Sequence, residues 1–324
     1  MAEQQTAPKQ FSYGGQAVIE GVMMRGAHRA AVAVRGPDGQ IVIHEQPLNA
    51  ALYRGRISRT PFVRGLVGLW DALGLGTRAL MWSADVALAE EDESVSFNGP
   101  LGYGTLAVSL LLGVGLFFLL PTTAATGIQH LFALDDYPFL VNLIEGVIQL
   151  LLIIGYMWLI GQLPDVKRLF GYHGAEHKTI NAYEAGAELT PEVVARFPIE
   201  HPRCGTAFLL MVAFIGVMVF SLLGRPPFLL LILSRVVLIP VIAGIAYEVI
   251  RFTAKHINNP IVRIVVIPNL ALQHLTTRQP DLTMIEVAIT ALKRVLVSEN
   301  LIAESEAQVP VAAPKVEAVP VSGD

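Results

Sequence analysis

Charge is scarce in this chain: 15% of its 324 residues are Asp, Glu, Lys or Arg, against 53% that are apolar. Soluble domains carry about 25% charged residues, so this chain is short of the polar surface that a soluble protein of its length needs. The shortfall lies in long uncharged runs, which indicates a membrane protein with soluble portions and the lipid bilayer as its partner. Positive charge is not in excess either. A formal net charge of −4 and a pI near 6.1 leave no footprint for nucleic acid. Cysteine is nearly absent, and the single Cys204 excludes an intrachain disulfide and suits a reducing compartment. The opening residues, MAEQQTAPKQFSYGGQ, have no apolar core behind a basic end and do not read as a signal peptide. No internal repeat is found.

The apolar runs come next. Four segments, roughly 101–120, 138–163, 205–224 and 227–250, are long enough to span about 30 Å of hydrocarbon, which takes about 20 residues. The positive-inside rule orients them. The 121–137 connection has no Lys or Arg, whereas 164–204 carries Lys167, Arg168, Lys178, Arg196 and Arg203. Only Arg225 lies before the fourth segment, and 251–294 holds six basic residues. The expectation is therefore that both termini and the 164–204 loop are cytoplasmic, in a multi-pass protein of the plasma membrane.

The remaining regions are mixed. Residues 29–48 alternate, turn at Gly36-Pro37-Asp38-Gly39 and alternate again, a β-hairpin pattern. Glycines at 14, 15, 21 and 26 suggest tight backbone paths before it. Arg54, Arg56, Arg59 and Arg64 precede a stripe of Leu66, Leu69, Trp70, Leu73, Leu80, Met81 and Trp82 at roughly helical spacing. That pattern suits a helix lying on an anionic leaflet, or equally one packed against the soluble portion's own core. The run NPIVRIVVIPNLALQHL (259–275) is too short and too Pro-interrupted to span, and reads as re-entrant or interfacial. Residues 281–303 read as an amphipathic helix opened by Asp281 and a Thr283-x-x-Glu286 capping box.

Chemistry concentrates in the 164–204 loop. His173 and His177 stand four apart and share a helix face, with Glu176 beside them in the H-x-x-E-H pattern of inverse zinc proteases. There the imidazoles hold the metal and the carboxylate serves as base. The bland alternative is a pair of exposed helix histidines among solvated charges. His201 and Cys204 end the same loop, and imidazole with thiolate is a zinc donor set. Otherwise Cys204 is a small buried hydrophobe and His201 a neighbour of a helix N-terminus. A second anomaly is intramembrane charge: Glu145, Arg235 and Glu248 fall in apolar segments, where an unpaired ion costs roughly 3 kcal/mol or more. Glu145 and Arg235 lie at similar depth, so direct contact or a shared water is expected.

Four motifs, GGQAVIEGVMMRG (14–26), GAEHKTINAYE (174–184), HPRCGTAF (201–208) and LQHLTTRQPD (272–281), together resemble the YqhQ family of bacterial membrane proteins, described as predicted metal-dependent enzymes. The resemblance covers about residues 13–300. Where that family usually has Thr-Arg-Glu-Pro, this chain has Thr277-Arg278-Gln279-Pro280. The resemblance implies a membrane location and a metal, and brings no substrate.

The expected fold is mainly α: a polytopic helical membrane protein of about four spans, with an N-terminal cytoplasmic β-hairpin-containing part and cytoplasmic amphipathic helices. Its divisions are a mobile N-terminus (1–12), the hairpin and amphipathic region (13–100), a transmembrane bundle bearing the 164–204 loop and a C-terminal amphipathic helix (101–300), and a disordered tail (301–324). The expected function is metal-assisted hydrolysis at the cytoplasmic membrane surface. His173 and His177 are ligands to a divalent metal, zinc by preference, with Cys204 or His201 as the third. Glu176 is the general base. The alternative is a non-catalytic assembly or scaffold protein with a structural metal, and a transporter using Glu145 and Arg235 ranks last.

Overall fold

A computed structural model of the chain describes residues 13–50, 55–56, 60–87, 100–257 and 259–307. The expected mobile lead, Arg54 and Arg59, and all of the expected disordered tail beyond 307 lie outside them. The N-terminal region forms a four-stranded antiparallel meander, β1 (Gly14–Val18), β2 (Gly21–Arg25), β3 (Arg29–Arg35) and β4 (Ile41–Pro47), in that spatial order. The β3–β4 hairpin is the one its alternation implied. Asp38 accepts from the Gln40 N–H, and Gly39 takes φ +80°, which a residue with a Cβ rarely adopts. The β1–β2 hairpin was hidden in the sequence, because glycines and a two-residue Ile19-Glu20 turn interrupt any period-2 pattern.

Strand β3, RAAVAVR, is buried on both faces. Ala31 and Ala33 meet one core, built with β2 and with helix α11 (Leu282–Ser298). Ala30, Val32 and Val34 meet a second core under helix α1 (Val63–Ala87), through Leu75 and Ala79. Both readings of α1 therefore have a face. One side packs on the sheet, while Leu66, Trp70, Leu73 and Leu80 stay exposed, Trp70 at 80%. Arg64 ties α1 to the apolar bundle through a bidentate pair with Glu248 at 2.5–2.8 Å. Helix α11 begins one residue after Asp281, whose carboxylate accepts from the Met284 N–H. The expected Thr283–Glu286 box does not form: Glu286 instead takes Arg35 at 2.7 Å, because the strand supplies a charged partner inside the core. The helix also stops at Ser298, with Asn300 at positive φ just beyond.

The apolar part is helical. Helix α2 (Pro100–Val114), a π-helical turn (Gly115–Leu119) and α3 (Leu120–Leu131) form one continuous 30-residue apolar helix over Gly102–Leu131, not a span ending at 120. Pro121 cannot donate to Phe117 and its ring crowds that carbonyl, and the π turn just before it absorbs the misfit. Then follow α4 (Pro138–Ile160), α5 (Pro164–Glu184), the short α6 (Pro191–Val194), α7 (Thr206–Leu223), α8 (Phe228–Val237), α9 (Ile239–Lys255) and α10 (Pro260–Thr276). Among the described residues, two helices, Gly102–Leu131 and α4, are long and apolar enough to cross a membrane, or three if α8 and α9 count as one span bent by 43° at Leu238. Pro240 at the start of α9 leaves no N–H for the continuing ladder at that bend.

Glu145 and Arg235 meet as expected, with Arg235 Nε 2.7 Å from the carboxylate. Arg225, read as a turn residue, joins them at 2.8 Å, and Asn142 accepts from both guanidiniums. The side chains of Thr122 and Thr126 complete the cluster.

Candidate metal centre

Helix α5 starts at Pro164, whose fixed φ suits the first turn, and ends against Gly186 at φ +69°, where Ala187 N–H reaches back to the Ala182 carbonyl. Its central turns grip the segment 195–200 by backbone carbonyls. Lys178 Nζ donates to Ala195 and Phe197, Asn181 donates to Pro198 and Glu200, and His177 Nδ1 lies 2.6 Å from the Ile199 carbonyl. This set of contacts turns the far end of the loop back onto α5. A Cβ at Gly174 would stand 2.2 Å from the Arg278 carbonyl, so only glycine lets the 277–278 connection pass this close to the histidine helix.

The result brings together residues 31 apart in sequence. The His173 and His177 rings are 4.4 Å apart between centroids, and Cys204 Sγ lies 3.3 Å from His173 Nε2. One donor atom each from His173, His177 and Cys204 falls within 4.8 Å of the others. The tautomers follow from the partners. His173 Nδ1 sits 2.8 Å from the Thr276 carbonyl as His177 Nδ1 sits against Ile199. A carbonyl only accepts, so both Nδ1 atoms carry the proton and both Nε2 atoms present lone pairs. That is the outer-shell arrangement that fixes imidazoles as metal ligands. His177 Nε2 is buried and has no hydrogen-bond partner among the described residues. The donor set of two imidazoles and a thiol fits zinc.

Glu176 is the third element. Its carboxylate is 3.9 Å from Nε2 of both histidines and takes the Gly15 amide of β1. Burial raises its pKa above the ordinary carboxylate value, and the Gly15 N–H pulls the other way. His201, the other expected ligand, is placed differently. Its ring lies 5.5 Å from that of His177, it does not join the three-atom group, and its Nε2 is also buried without a partner among the described residues. Burial first, then Arg203, push its pKa down to about 3, so it is neutral.

Two positioning residues escaped the sequence. Gln273 holds the His201 backbone in both directions, at 2.8 and 2.9 Å, and Thr276 supplies the carbonyl for His173. Both belong to α10, whose residues 259–275 read as a re-entrant or interfacial run. The available signal was a Gln and two Thr at the end of an otherwise apolar stretch. A cavity of about 540 Å³ opens on the cluster, walled by β1, Leu75 of α1, Phe170 of α5 and residues 203–206.

No solved structure matches the chain. A family described as "Protein of unknown function (DUF1385)" matches residues 60–298. An "Uncharacterized protein YqhQ" of Bacillus subtilis (strain 168) is 35% identical over 303 residues, covering 90% of this chain and 94% of its own. Both matches take in the residues that build the histidine–cysteine cluster, and on them the chain belongs to the YqhQ (DUF1385) family.

Proposed function

We propose that the chain is a multi-pass membrane protein that carries out metal-assisted hydrolysis at the cytoplasmic membrane surface. The observation that supports it most is the convergence of three donor atoms, with two imidazoles fixed by backbone carbonyls, beside a buried carboxylate and an open cavity. His173, His177 and Cys204 would hold a zinc ion, which when bound supplies Lewis acidity and a water of lowered pKa. Glu176 accepts a proton from the attacking water and returns it to the leaving group. Its carboxylate lies 3.9 Å from Nε2 of both histidines, the geometry such a base needs. Four membrane crossings, with both termini and the 164–204 loop in the cytoplasm, complete this reading. Labelling introduced cysteines near 130 and 190 in intact cells checks the orientation, which fails if 190 labels from outside and 130 does not.

The structural-metal reading rests on one specific feature, the buried Nε2 of His201 next to His177. A fourth protein ligand would close the site, whereas three leave it open. Metal analysis of purified protein, with Glu176→Gln, separates them. A hydrolase keeps its metal and loses activity, and a structural site is indifferent to the change.

A further inference from the structure

The cavity wall on the sheet side includes the β1 edge, with Gly14, Gly15, Gln16 and Ala17 lining it beside Met23 and Arg25 of β2. Among the described residues, strand order β1-β2-β3-β4 leaves β1 paired on one side alone. The two-residue turn makes Val18 and Gly21 the closing hydrogen-bonded pair, so Val18, Gln16 and Gly14 spend their backbone groups on β2. Residues 15, 17 and 19 point the other way. Two contacts agree: Gly15 N–H faces Glu176, and Ile19 N–H donates to Ser83 Oγ at 3.1 Å. Between these ends lie the Gly15 carbonyl and both polar groups of Ala17, on residues that line the cavity. The opposite edge, β4, carries His44 and Glu45 and does not line this cavity.

We infer that the substrate is an extended polypeptide that adds to β1 as a fifth strand, pairing with Gly15 and Ala17 and passing its scissile amide over the His173–His177–Cys204 cluster. This rests on the hydrolase reading above and names its substrate class. A strand edge offers donors and acceptors at the spacing of another peptide backbone. Tyr13, Met23, Leu75 and Phe170 give apolar ground for alternate side chains. The walls suit a lipid phosphate less well, because of their two guanidiniums Arg203 already pairs with Glu184 and Arg25 also has a partner. Gly15 also admits no Cβ, which would stand 2.6 Å from the Met23 carbonyl and 2.8 Å from Glu176 Cγ, so the edge is bare where it meets the base. Hydrolysis breaks the amide C–N bond and forms a C–O bond to water. The proton taken by Glu176 ends on the leaving amine, with no redox partner.

The test uses zinc-loaded full-length protein in nanodiscs with a proteome-derived peptide library and, in parallel, vesicles of phosphatidylethanolamine and phosphatidylglycerol, both read by mass spectrometry. The expected result is new peptide termini and no lipid product. Ala17→Pro removes an outward N–H and no β1–β2 bond, and lowers kcat/KM about tenfold, the effect of one hydrogen bond, at unchanged metal content. A second measurement does not depend on that variant folding. The best-cleaved peptide, N-methylated at successive positions, binds Glu176→Gln protein with affinity that falls with a period of two residues. Cleavage or binding indifferent to both changes, or lipid products in place of peptides, overturns the added strand and leaves the metal reading standing. Protein that binds no zinc overturns the metal reading itself, and zinc-loaded protein that processes neither substrate overturns both.

Discussion

Two buried polar clusters differ in how they end. In the apolar bundle, Glu145 is surrounded by Arg225, Arg235, Asn142 and Thr122, and nearly every polar atom has a partner, Arg235 Nη1 excepted. The space beside it is about 10 Å³, roughly what one water needs. In the middle of α5, His173 and His177 are held from behind by backbone carbonyls and converge with Cys204, and His173 and Cys204 line about 540 Å³ of space. A closed cluster holds helices together. One that borders open space, its imidazoles fixed from behind, could hold an ion. Burial of polar residues alone does not separate the two; where the last lone pair points does.

Substitutions sharpen this contrast. The largest effect is expected at Glu145→Ala, which strands two guanidiniums in the bundle and should cost about 3–5 kcal/mol in denaturation experiments in detergent. Replacing Glu145, Arg225 and Arg235 together with apolar residues should cost less than that single change, and strict additivity would contradict the closed cluster. His177→Ala should instead weaken zinc binding by more than about 100-fold, since it removes a ligand and not only an outer contact. Its metal-free stability should fall by about 1–3 kcal/mol, the Ile199 carbonyl being left without its donor. Gln273→Leu touches no donor atom but frees the His201 backbone, and should lower zinc affinity about tenfold by competition titration. The smallest change is Asp281→Ala, which removes a helix cap for about 1 kcal/mol and leaves metal content untouched. A loss of metal there would mean that the centre reports general stability and not its own ligands.

Much of this contrast is legible in the sequence, and unevenly so. The i, i+4 spacing of His173 and His177 fixes one helix face whatever the tertiary structure, and ions at equal depth in apolar runs, Glu145 and Arg235, have strong cause to pair. The β3–β4 hairpin shows because its turn residues and its alternation agree. By contrast, β1 and β2 are disguised by glycines that the packing requires, with Gly21 so close to Ala33 that a Cβ would stand 2.2 Å from its carbonyl. Glu286 has the spacing of a capping box, yet a charged strand residue within reach binds it more strongly than a backbone N–H does. Arg225 and Gln273 act across the fold, and no local pattern marks a residue whose partner is some 70 or 80 positions away.

The central claim is that the histidine–cysteine cluster is an open metal site with three protein ligands. Zinc K-edge X-ray absorption on purified protein tests it most directly. The account predicts one sulfur at about 2.3 Å and two imidazole nitrogens at about 2.0–2.1 Å, with a further light atom that is not imidazole. The imidazole count should fall by one in His177→Ala and stay at two in His201→Ala. A third imidazole that disappears with His201, or protein that holds no zinc while correctly folded, would contradict it.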